Sequence, residues 1–473
     1  MRAEKPMSKE LLRKFRTMLL PGLKRWIVII FFGIVVIVVG TLLLLGYHPI
    51  TVTGSFLRDL MEHAAEVLPH RISGIMAITI GGLIVCFAVI RAILSILGAY
   101  IPDDRESIPE ALYKRRHLDS GPKIAVIGGG TGLSTMLRGL KNYTTNITAI
   151  VTVGDDGGSS GRLRAELGVL PPGDIRNCIT ALADEEKVVT DLFQYRFESG
   201  QGLEGHNFGN LFLTAIYSMT DGNFMEAVRV AGKVLNIKGT VLPATLKAIQ
   251  LSAEMEDGSI VAGESHITEA GGRIKRLICE PEDLKATPEA IEAILDAELI
   301  ILGPGSLYTS IIPNLLIKGI ADAIRKSKAK KLYVCNVMTQ KGETEDYTVG
   351  DHCEALLAHS GTPMDKGYKL IDAVLINDQI PVIPPGTPAR PVPFDQDKIR
   401  SFGLIPVKRG LVSPQSAGHH DPQMLSKIIM LWFFRTKRRK PVNKVDGSPF
   451  SIELGDEAEL NSNELESKST IST

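Results

Sequence analysis

Two long uncharged apolar runs occupy the first hundred residues. Residues 26–45 include sixteen Ile, Leu, Val or Phe residues, and residues 72–90 form a second uncharged run. At about −0.3 to −0.6 kcal/mol per apolar residue, the first run favours membrane insertion by about 5 kcal/mol or more. The second run offers a small-residue face for helix packing, at Gly74, Ala77, Gly81 and Gly82. The pattern predicts a transmembrane hairpin over residues 26–97, with spans at about 26–46 and 72–92.

Basic residues are distributed unevenly around these two runs. Lys and Arg cluster in the leader, residues 1–25, whereas the loop between the runs carries only Arg58 and Arg71, at its far end. By the positive-inside rule, a two-span cell-membrane protein with both termini and the main domain in the cytoplasm is predicted. A cleaved signal peptide is the alternative. Its apolar region is usually only about 7 to 15 residues long, and no second span follows it.

Short β-branched runs alternate with helical stretches from residue 122 to residue 434. The predicted strands are residues 124–127, 147–153, 298–302, 331–337 and 373–376. Such alternation predicts an α/β fold, a Rossmann-like doubly wound and mainly parallel sheet, with ligands bound at the carboxyl ends of the strands. We expect a charged linker, residues 98–121, between the hairpin and this domain.

The C-terminal region has two parts. Residues 424–434 are apolar nearly all round, which fits either a docked final helix or an interfacial membrane segment. Asp421 as N-cap and Pro422 at the first helical position favour the docked helix. Residues 435–473, first basic and then acidic among serines and asparagines, are predicted to be disordered.

Composition narrows the class of partners. The formal net charge is +0, so nothing global favours a nucleic-acid partner. The five cysteines show no CxxC spacing, which disfavours both a zinc site and a disulfide framework and agrees with a reducing compartment.

A glycine turn follows the first predicted strand directly. Its residues are Gly128, Gly129, Gly130, Thr131 and Gly132. Because a helical stretch follows, backbone N–H groups converge there and favour phosphate binding. The dinucleotide fingerprint GxGxxG is not matched, since Leu133 stands at the third glycine position, so an NAD-binding oxidoreductase is a weaker alternative. A turn that only requires positive φ, without a ligand, also stays open.

The segment GDDGGSSGR follows the second predicted strand. Asp155 and Asp156 suit a hard cation such as Mg²⁺ or the hydroxyls of a sugar, and they are the candidates if any residue is catalytic. Ser159, Ser160 and Arg162 suit phosphate oxygens. An exposed acidic turn without a ligand is the alternative.

Four further motifs supply candidate ligand-binding side chains. They are Asp174 and Asn177 of LPPGDIRN, His206, Asn207 and Asn210 of HNFGN, Gly303, Gly305 and Ser306 of GPGS, and Asn336 and Thr339 of NVMTQKGET. A cap on its own helix is the alternative for Asp174. Asp174 and Arg176 do not share a helix face, so one of them is expected to be structural. The GPGS turn repeats the strand, glycine turn and helix of the first motif, so two anion-binding turns are predicted, which fits a diphosphate.

With these motifs in this order, the chain closely resembles the YvcK family, the gluconeogenesis factors of the CofD-like superfamily, over about residues 123–434. The resemblance implies a Rossmann-like binder of UDP-activated sugars, notably UDP-N-acetylglucosamine, that regulates cell shape, cell-wall precursor metabolism and growth on gluconeogenic carbon sources. It also implies cell-wall synthesis proteins as possible partners, while homo-oligomerisation stays open. A non-catalytic regulatory protein is therefore expected.

The related CofD enzymes provide the alternative. They transfer a phospholactyl-type group from a nucleoside diphosphate-linked donor in a Mg²⁺-dependent reaction, and resemblance to them implies that Asp155 and Asp156 serve the metal and the acceptor. The sequence DDGGSSGRLR after the second strand looks like the regulatory branch instead. The N-terminal hairpin departs from both branches, whose members are commonly soluble.

Overall fold

The computed structural model describes residues 23–45, 69–100, 116–184, 186–361, 369–383, 389–416 and 418–438. The chain divides into two compact units, Met1–Arg116 and His117–Thr473. The predictions for the basic leader before residue 23, the loop 46–68, residues 101–115 of the linker and the tail after residue 438 lie outside the described residues.

The first unit contains helices α1 (Leu23–Leu44) and α2 (His70–Tyr100), both long and apolar enough to cross a membrane. They pack through glycines: a Cβ added to Gly74 would lie 2.9 Å from the carbonyl oxygen of Gly40, and one added to Gly81 would lie 2.8 Å from that of Gly33. Such close backbone approach is typical of membrane helix pairs. Gly82 has no neighbour within 4 Å of its added Cβ, so the prediction that it belongs to the packing face was wrong.

The second unit is built on a seven-stranded parallel sheet with the order β10-β9-β8-β7-β1-β2-β3. Its strands are β1 (Ile124–Gly128), β2 (Ile147–Val151), β3 (Thr240–Pro243), β7 (Leu299–Leu302), β8 (Lys330–Val334), β9 (Ala373–Asn377) and β10 (Ile405–Arg409). In register, β1 residue Ile124 pairs with Ile147 of β2 and Leu299 of β7. The predicted α/β fold and its five strands are confirmed, although β2 and β8 end two and three residues earlier than predicted.

A second sheet of three antiparallel strands was not predicted. It has the order β5-β4-β6, formed by β4 (Gln250–Met255), β5 (Ile260–Ala262) and β6 (Ile274–Glu280). Their short alternating patterns are weak signals.

Every residue of β1 and β7 is buried. Helices surround the main sheet. They are α3 (Gly130–Leu140), α4 (Gly158–Leu167), α5 (Gly173–Leu182), α6 (Glu186–Gln194), α7 (Phe208–Met219), α8 (Phe224–Val234), α9 (Glu264–Ala270), α10 (Pro288–Asp296), α11 (Ile312–Leu316, after a π-helical turn Leu307–Ile311), α12 (Ile320–Lys326), α13 (Val349–His359), α14 (Gln396–Ser401) and α15 (Pro422–Arg438). Strands buried on both faces explain the nearly continuous apolar runs of the sequence.

Helix α15 is docked on the domain, as predicted. Its buried residues Leu425, Ile429 and Phe433 recur every four positions, which places them on one helix face. The Asp421 carboxylate accepts hydrogen bonds from the backbone N–H groups of Gln423 and Met424, at 2.9 and 3.0 Å, so it caps the helix. The helix continues to residue 438, four residues beyond the predicted end of the domain.

The strand order changes direction between β1 and β7. From β1 the chain adds β2 and β3 on one side, and from β7 it adds β8, β9 and β10 on the other. The loops that leave the carboxyl ends of β1 and β7 therefore diverge, and open α/β sheets bind ligands in the crevice at such a switch point.

Candidate functional site

A cleft with a volume of about 620 Å³ opens at the carboxyl ends of β1, β7 and β8. Nine of the predicted site residues line this cleft, which we call the glycine cleft: Gly129, Gly130, Thr131, Gly132, Asp174, Gly305, Ser306, Asn336 and Thr339. The structure thus brings together residues from four of the six sequence motifs.

The two glycine turns meet in the wall of the glycine cleft. A Cβ added to Gly132 would lie 2.7 Å from the carbonyl oxygen of Pro304 and 2.9 Å from Cα of Gly305. Gly130 has φ +68°, a left-handed conformation that favours glycine. Gly128 and Gly303, also predicted as ligand-binding, are not among the lining residues of the cleft. Gly303 has φ +77° and starts the second turn.

A carboxylate of the chain itself lies over the start of α3. Asp174 accepts a hydrogen bond from the Gly130 backbone N–H, and a Cβ added to Gly129 would lie 2.5 Å from an oxygen of this carboxylate. Asp174 therefore does not cap its own helix, which was the alternative left open. Thr131 and Gly132, in the same first turn, line the cleft, and N–H groups at these helix positions have no intrahelical acceptor.

The second glycine turn has a similar arrangement. The buried Glu343 carboxylate accepts hydrogen bonds at 3.0 Å from the backbone N–H of Tyr308 and from the hydroxyl of Thr309. Burial raises the pKa of Glu343, and these hydrogen bonds oppose the rise. A carboxyl group of the chain itself thus already pairs with the helix start that was predicted to bind a ligand anion, which disfavours this turn as a second phosphate site.

The loop after β8 holds the second glycine turn in place. The Asn336 amide donates to the carbonyl oxygen of Gly305 at 2.9 Å and accepts from the Gly305 N–H at 3.4 Å. The Gln340 amide donates to the Ser306 hydroxyl at 2.7 Å. Thr339 pairs with Arg390 through its backbone N–H and its hydroxyl. These side chains hold the cleft wall in place, and Asn336 does so by hydrogen bonds to the backbone of the second glycine turn.

Five of the remaining serine, asparagine and histidine candidates form a separate cluster around the buried Arg176, and only Asn177 among them is half-buried. We call this cluster the Arg176 network: Ser159, Ser160, Arg176, Asn177, His206 and Asn210. The Arg176 guanidinium donates to Asn210 at 2.8 Å and to Asn177 at 2.9 Å, and the Asn210 amide donates to Ser160 at 3.3 Å. Ser159 and His206 share a hydrogen bond of 3.0 Å. None of these residues lines the glycine cleft.

These bonds tie α4, α5 and α7 together. Burial lowers the pKa of Arg176, and the nearby Asp155 and Asp174 oppose this effect. Asn207 caps α7 by accepting from the Gly209 N–H at 3.2 Å. Of Asp174 and Arg176, Asp174 faces the cleft and Arg176 is structural, which confirms that they do not share a role.

Arg162 lies outside both groups. Its guanidinium donates to the carbonyl oxygen of Glu204 at 2.9 Å, and its side chain is largely exposed. The phosphate contact predicted for it is therefore not favoured by its position.

The adjacent carboxylates Asp155 and Asp156 have different surroundings. Asp156 accepts from the backbone N–H groups of Glu264 and Ser265, at 2.8 and 3.1 Å, so it caps α9. Asp155 accepts from the Gly157 N–H at 3.0 Å. In the described part of the chain, no group of three or more His, Cys, Asp or Glu residues is arranged to hold a metal ion. The contacts of Asp156 do not fit a Mg²⁺ ligand, and Mg²⁺ binding stays a prediction.

Two acidic side chains in the glycine cleft have strongly raised pKa values. Burial, followed by the charge of Asp155, raises the pKa of Asp174 to about 7. Burial, followed by the charges of Asp174, Asp155 and Asp156, raises the pKa of Glu264 to about 9. At neutral pH Glu264 is protonated and Asp174 is close to half protonated, which limits the negative charge of the cleft.

Sequence reasoning missed several residues of the cleft. The lining residues outside the prediction include Glu264, Ser310, Gln340, Lys341, His419 and His420. Gln340 and Lys341 follow Thr339 in a motif that was recognised, so extending that motif would have found them. Glu264 and His420 come from segments without any such signal.

Comparison with known proteins shows the class of protein. The sequence model of the 2-phospho-L-lactate transferase CofD family matches residues 124–412. The chain belongs to the CofD family. A gluconeogenesis factor of Bacillus subtilis is 50% identical over 315 residues, which are 65% of this chain and 97% of that relative. Membership of the gluconeogenesis-factor (YvcK) branch, predicted from the motifs, is confirmed.

One relative extends beyond the α/β unit. A putative gluconeogenesis factor of a Nostoc species is 48% identical over 422 residues, which are 87% of this chain and 91% of that relative. Because His117–Thr473 makes up about three quarters of the chain, this match includes part of the preceding unit.

Solved structures agree with the fold. A Bacillus halodurans protein, described in a second crystal structure as a member of the UPF0052 family, is 46% identical and superposes with a TM-score of 0.61. The first of these structures covers 66% of this chain and 100% of its own length.

Proposed function

We propose that the glycine cleft binds a nucleoside diphosphate sugar, with UDP-N-acetylglucosamine as the preferred ligand. The observation that carries this proposal is the direct contact between two glycine turns at the switch point of the sheet, where Thr131 and Gly132 line the cleft. Asp174 accepts only from the Gly130 N–H at the start of α3, so the Thr131 and Gly132 N–H groups of the same turn are the donors that we assign to a phosphate group.

The charges of the cleft are compatible with this ligand. The exposed Lys341 ammonium provides a positive charge for the diphosphate. Glu264, protonated at neutral pH, and the Asp174 carboxyl offer hydrogen bonds to sugar hydroxyls. The volume of about 620 Å³ lies within the range of about 300 to 1,000 Å³ that is usual for small-molecule sites.

We further propose that ligand binding regulates cell shape, cell-wall precursor metabolism and growth on gluconeogenic carbon sources, through cell-wall synthesis proteins. The support is the name gluconeogenesis factor carried by the relatives. A hairpin of α1 and α2 would anchor the domain at the cytoplasmic face of the cell membrane. The glycine-mediated packing of these two helices supports this anchoring.

Calorimetry with the full-length protein in lipid nanodiscs tests the binding proposal. We expect UDP-N-acetylglucosamine to bind, and we expect Gly130→Val to weaken binding at least tenfold. A protein that binds neither UDP-N-acetylglucosamine nor UDP-glucose would overturn the proposal. Extraction of membranes at alkaline pH tests anchoring separately: release of the intact chain with peripheral proteins would show that the hairpin does not span the bilayer.

A transferase of the CofD type is the second candidate, since two cleft carboxyls have pKa values near or above neutrality, as proton-transfer groups often do. The test is nucleotide release from UDP-N-acetylglucosamine and from a phospholactyl-type nucleotide donor, with Mg²⁺ and a panel of acceptors. Turnover that Asp174→Asn abolishes would favour the enzyme, whereas binding without any turnover would favour the regulatory role.

A further inference from the structure

A histidine that no motif predicted lies in the wall of the glycine cleft. His420 precedes the cap residue Asp421 of α15, and only 7% of it is exposed. Its ring nitrogen Nε2 is buried and has no hydrogen-bond partner among the described residues. A buried polar atom without a partner is destabilising, so a ligand group that pairs with it gains affinity.

The protonation state of this ring follows from its other contact. The backbone of Cys335 forms a hydrogen bond with His420, and the Cys335 N–H already donates to Leu375 in the sheet. The Cys335 carbonyl oxygen is therefore the acceptor, and Nδ1–H of His420 is the donor. Burial, followed by the charge of His419, lowers the pKa of His420 to about 4, so the ring is neutral at pH 7. Nε2 then presents a lone pair and only accepts.

The part of the cleft lining that is apolar suits a base better than a phosphate. Apolar side chains of Val337, Met338 and Ile383 line the same cleft, and a Cβ added to Gly418 would lie 3.4 Å from Cγ of Met338. A phosphate oxygen would face the lone pair of Nε2 without a proton between them. A planar base with an N–H group satisfies both the apolar wall and the acceptor.

We propose that Nε2 of His420 accepts a hydrogen bond from an N–H group on the edge of the ligand's base, so that the base lies beside the loop after β8 and the diphosphate at the glycine turns. This inference rests on the proposed function, because it assigns an orientation to the nucleotide in the same cleft. His420 is thus a specificity-determining residue for the base.

A chemical double-mutant cycle tests the contact. Affinities of the full-length protein for UDP and N3-methyl-UDP are measured by calorimetry, for the wild type and for His420→Leu. We expect N3-methylation to weaken binding to the wild type at least tenfold. The His420→Leu variant should bind UDP at least tenfold more weakly, and methylation should then change its affinity less than threefold.

The outcomes separate this inference from the proposed function. Wild-type protein that binds UDP and N3-methyl-UDP equally well overturns the role of His420 but leaves the proposed function intact, and equal methylation penalties in both proteins do the same. If the protein prefers GDP, N1-methyl-GDP replaces the uridine analogue in the same cycle. Protein that binds no nucleoside diphosphate overturns both. The wild-type arm can overturn the contact even if His420→Leu does not fold.

Discussion

The glycine cleft and the Arg176 network contain the same kinds of sequence motif but use them differently. In the Arg176 network, hydroxyl and amide groups pair with one another and with a buried guanidinium, and they join three helices. In the glycine cleft, backbone groups and the carboxyls Asp174 and Glu264 line an open volume. A motif rich in small polar residues therefore indicates groups that need hydrogen-bond partners. Only the packing shows whether these partners belong to the protein or to a ligand.

Carboxyl groups from elsewhere in the chain accept hydrogen bonds at three helix starts of the domain. Asp174 accepts from Gly130 of α3, Glu343 from Tyr308 before α11, and Asp156 from Glu264 of α9. Each acceptor comes from a distant part of the chain and stabilises a helix start through its unpaired N–H groups and its dipole. The sequence predicts a ligand anion at both glycine turns. At each turn a carboxyl group of the protein accepts one backbone N–H, and phosphate binding there stays a prediction.

The largest effect is expected from breaking the Arg176 network. Arg176→Met removes the donor from Asn210 and Asn177 inside the domain, so we expect the free energy of unfolding to fall by about 3 kcal/mol. Affinity for UDP-N-acetylglucosamine should change less than threefold. Urea unfolding and calorimetry of the full-length protein measure both. Arg229→Met, which removes an exposed pair with Glu226, is the control and should leave the free energy of unfolding nearly unchanged. A tenfold loss of affinity in folded Arg176→Met would contradict the division between the two regions.

The next effect concerns the contact between the glycine turns. Gly132→Ala places a Cβ 2.7 Å from the Pro304 carbonyl oxygen, so the turns must move apart. We expect the affinity for UDP-N-acetylglucosamine to fall about 30-fold, or about 2 kcal/mol. Gly128→Ala in the same loop is the matched control, because its added Cβ would find its nearest neighbour, Leu133, at 3.6 Å. Equal losses in the two variants would show that the contact between the turns does not shape the ligand site.

The pH dependence of ligand affinity tests the charge of the glycine cleft, to which the Arg176 network contributes no titrating carboxyl. Because the pKa of Asp174 is raised to about 7, its carboxyl ionises as pH rises through neutrality and repels a diphosphate. Affinity for UDP-N-acetylglucosamine should fall about tenfold between about pH 6.5 and 8 in the wild type, and this fall should be absent in Asp174→Asn. A pH dependence of the same size in the variant would assign the effect to another group.

The raised pKa of Asp174 also predicts how the free energy of unfolding changes with pH. Its folded-state pKa of about 7 exceeds the ordinary value of 3.8, so the folded state binds the proton more tightly. The stability contributed by this group is fully present below about pH 4 and is lost as pH rises to about 7. Urea unfolding of Asp174→Asn should therefore lack this decline.

The smallest effect is expected at Arg162. Its guanidinium donates to the Glu204 carbonyl oxygen on an exposed part of the domain. Arg162→Gln should change the affinity for UDP-N-acetylglucosamine less than twofold and the free energy of unfolding by about 0.5 kcal/mol. If calorimetry instead shows a tenfold loss, Arg162 reaches the ligand as the sequence predicted, and the site extends beyond the glycine cleft.

Much of the fold was predictable because its signals are local. The apolar runs of β1, β2, β7, β8 and β9 are continuous, since these strands are buried on both faces. Asp421 and Pro422 identified the start of α15 because a cap and the helix it begins are adjacent in sequence. The β4-β5-β6 sheet was missed, since polar and charged residues interrupt β4 and β6 and antiparallel pairing stabilises them in place of a continuous apolar run.

The sequence by itself determined five strands of the main sheet, the glycine turns and the family, because each depends on residues that are neighbours in the chain. Only the tertiary structure decided which polar groups line the cleft. The Gly130 N–H donates to Asp174, and the Tyr308 N–H donates to Glu343. His420, just before α15, lines the cleft. A hydrogen-bond donor takes whichever acceptor the packed chain brings within about 3 Å, and sequence separation does not limit that choice.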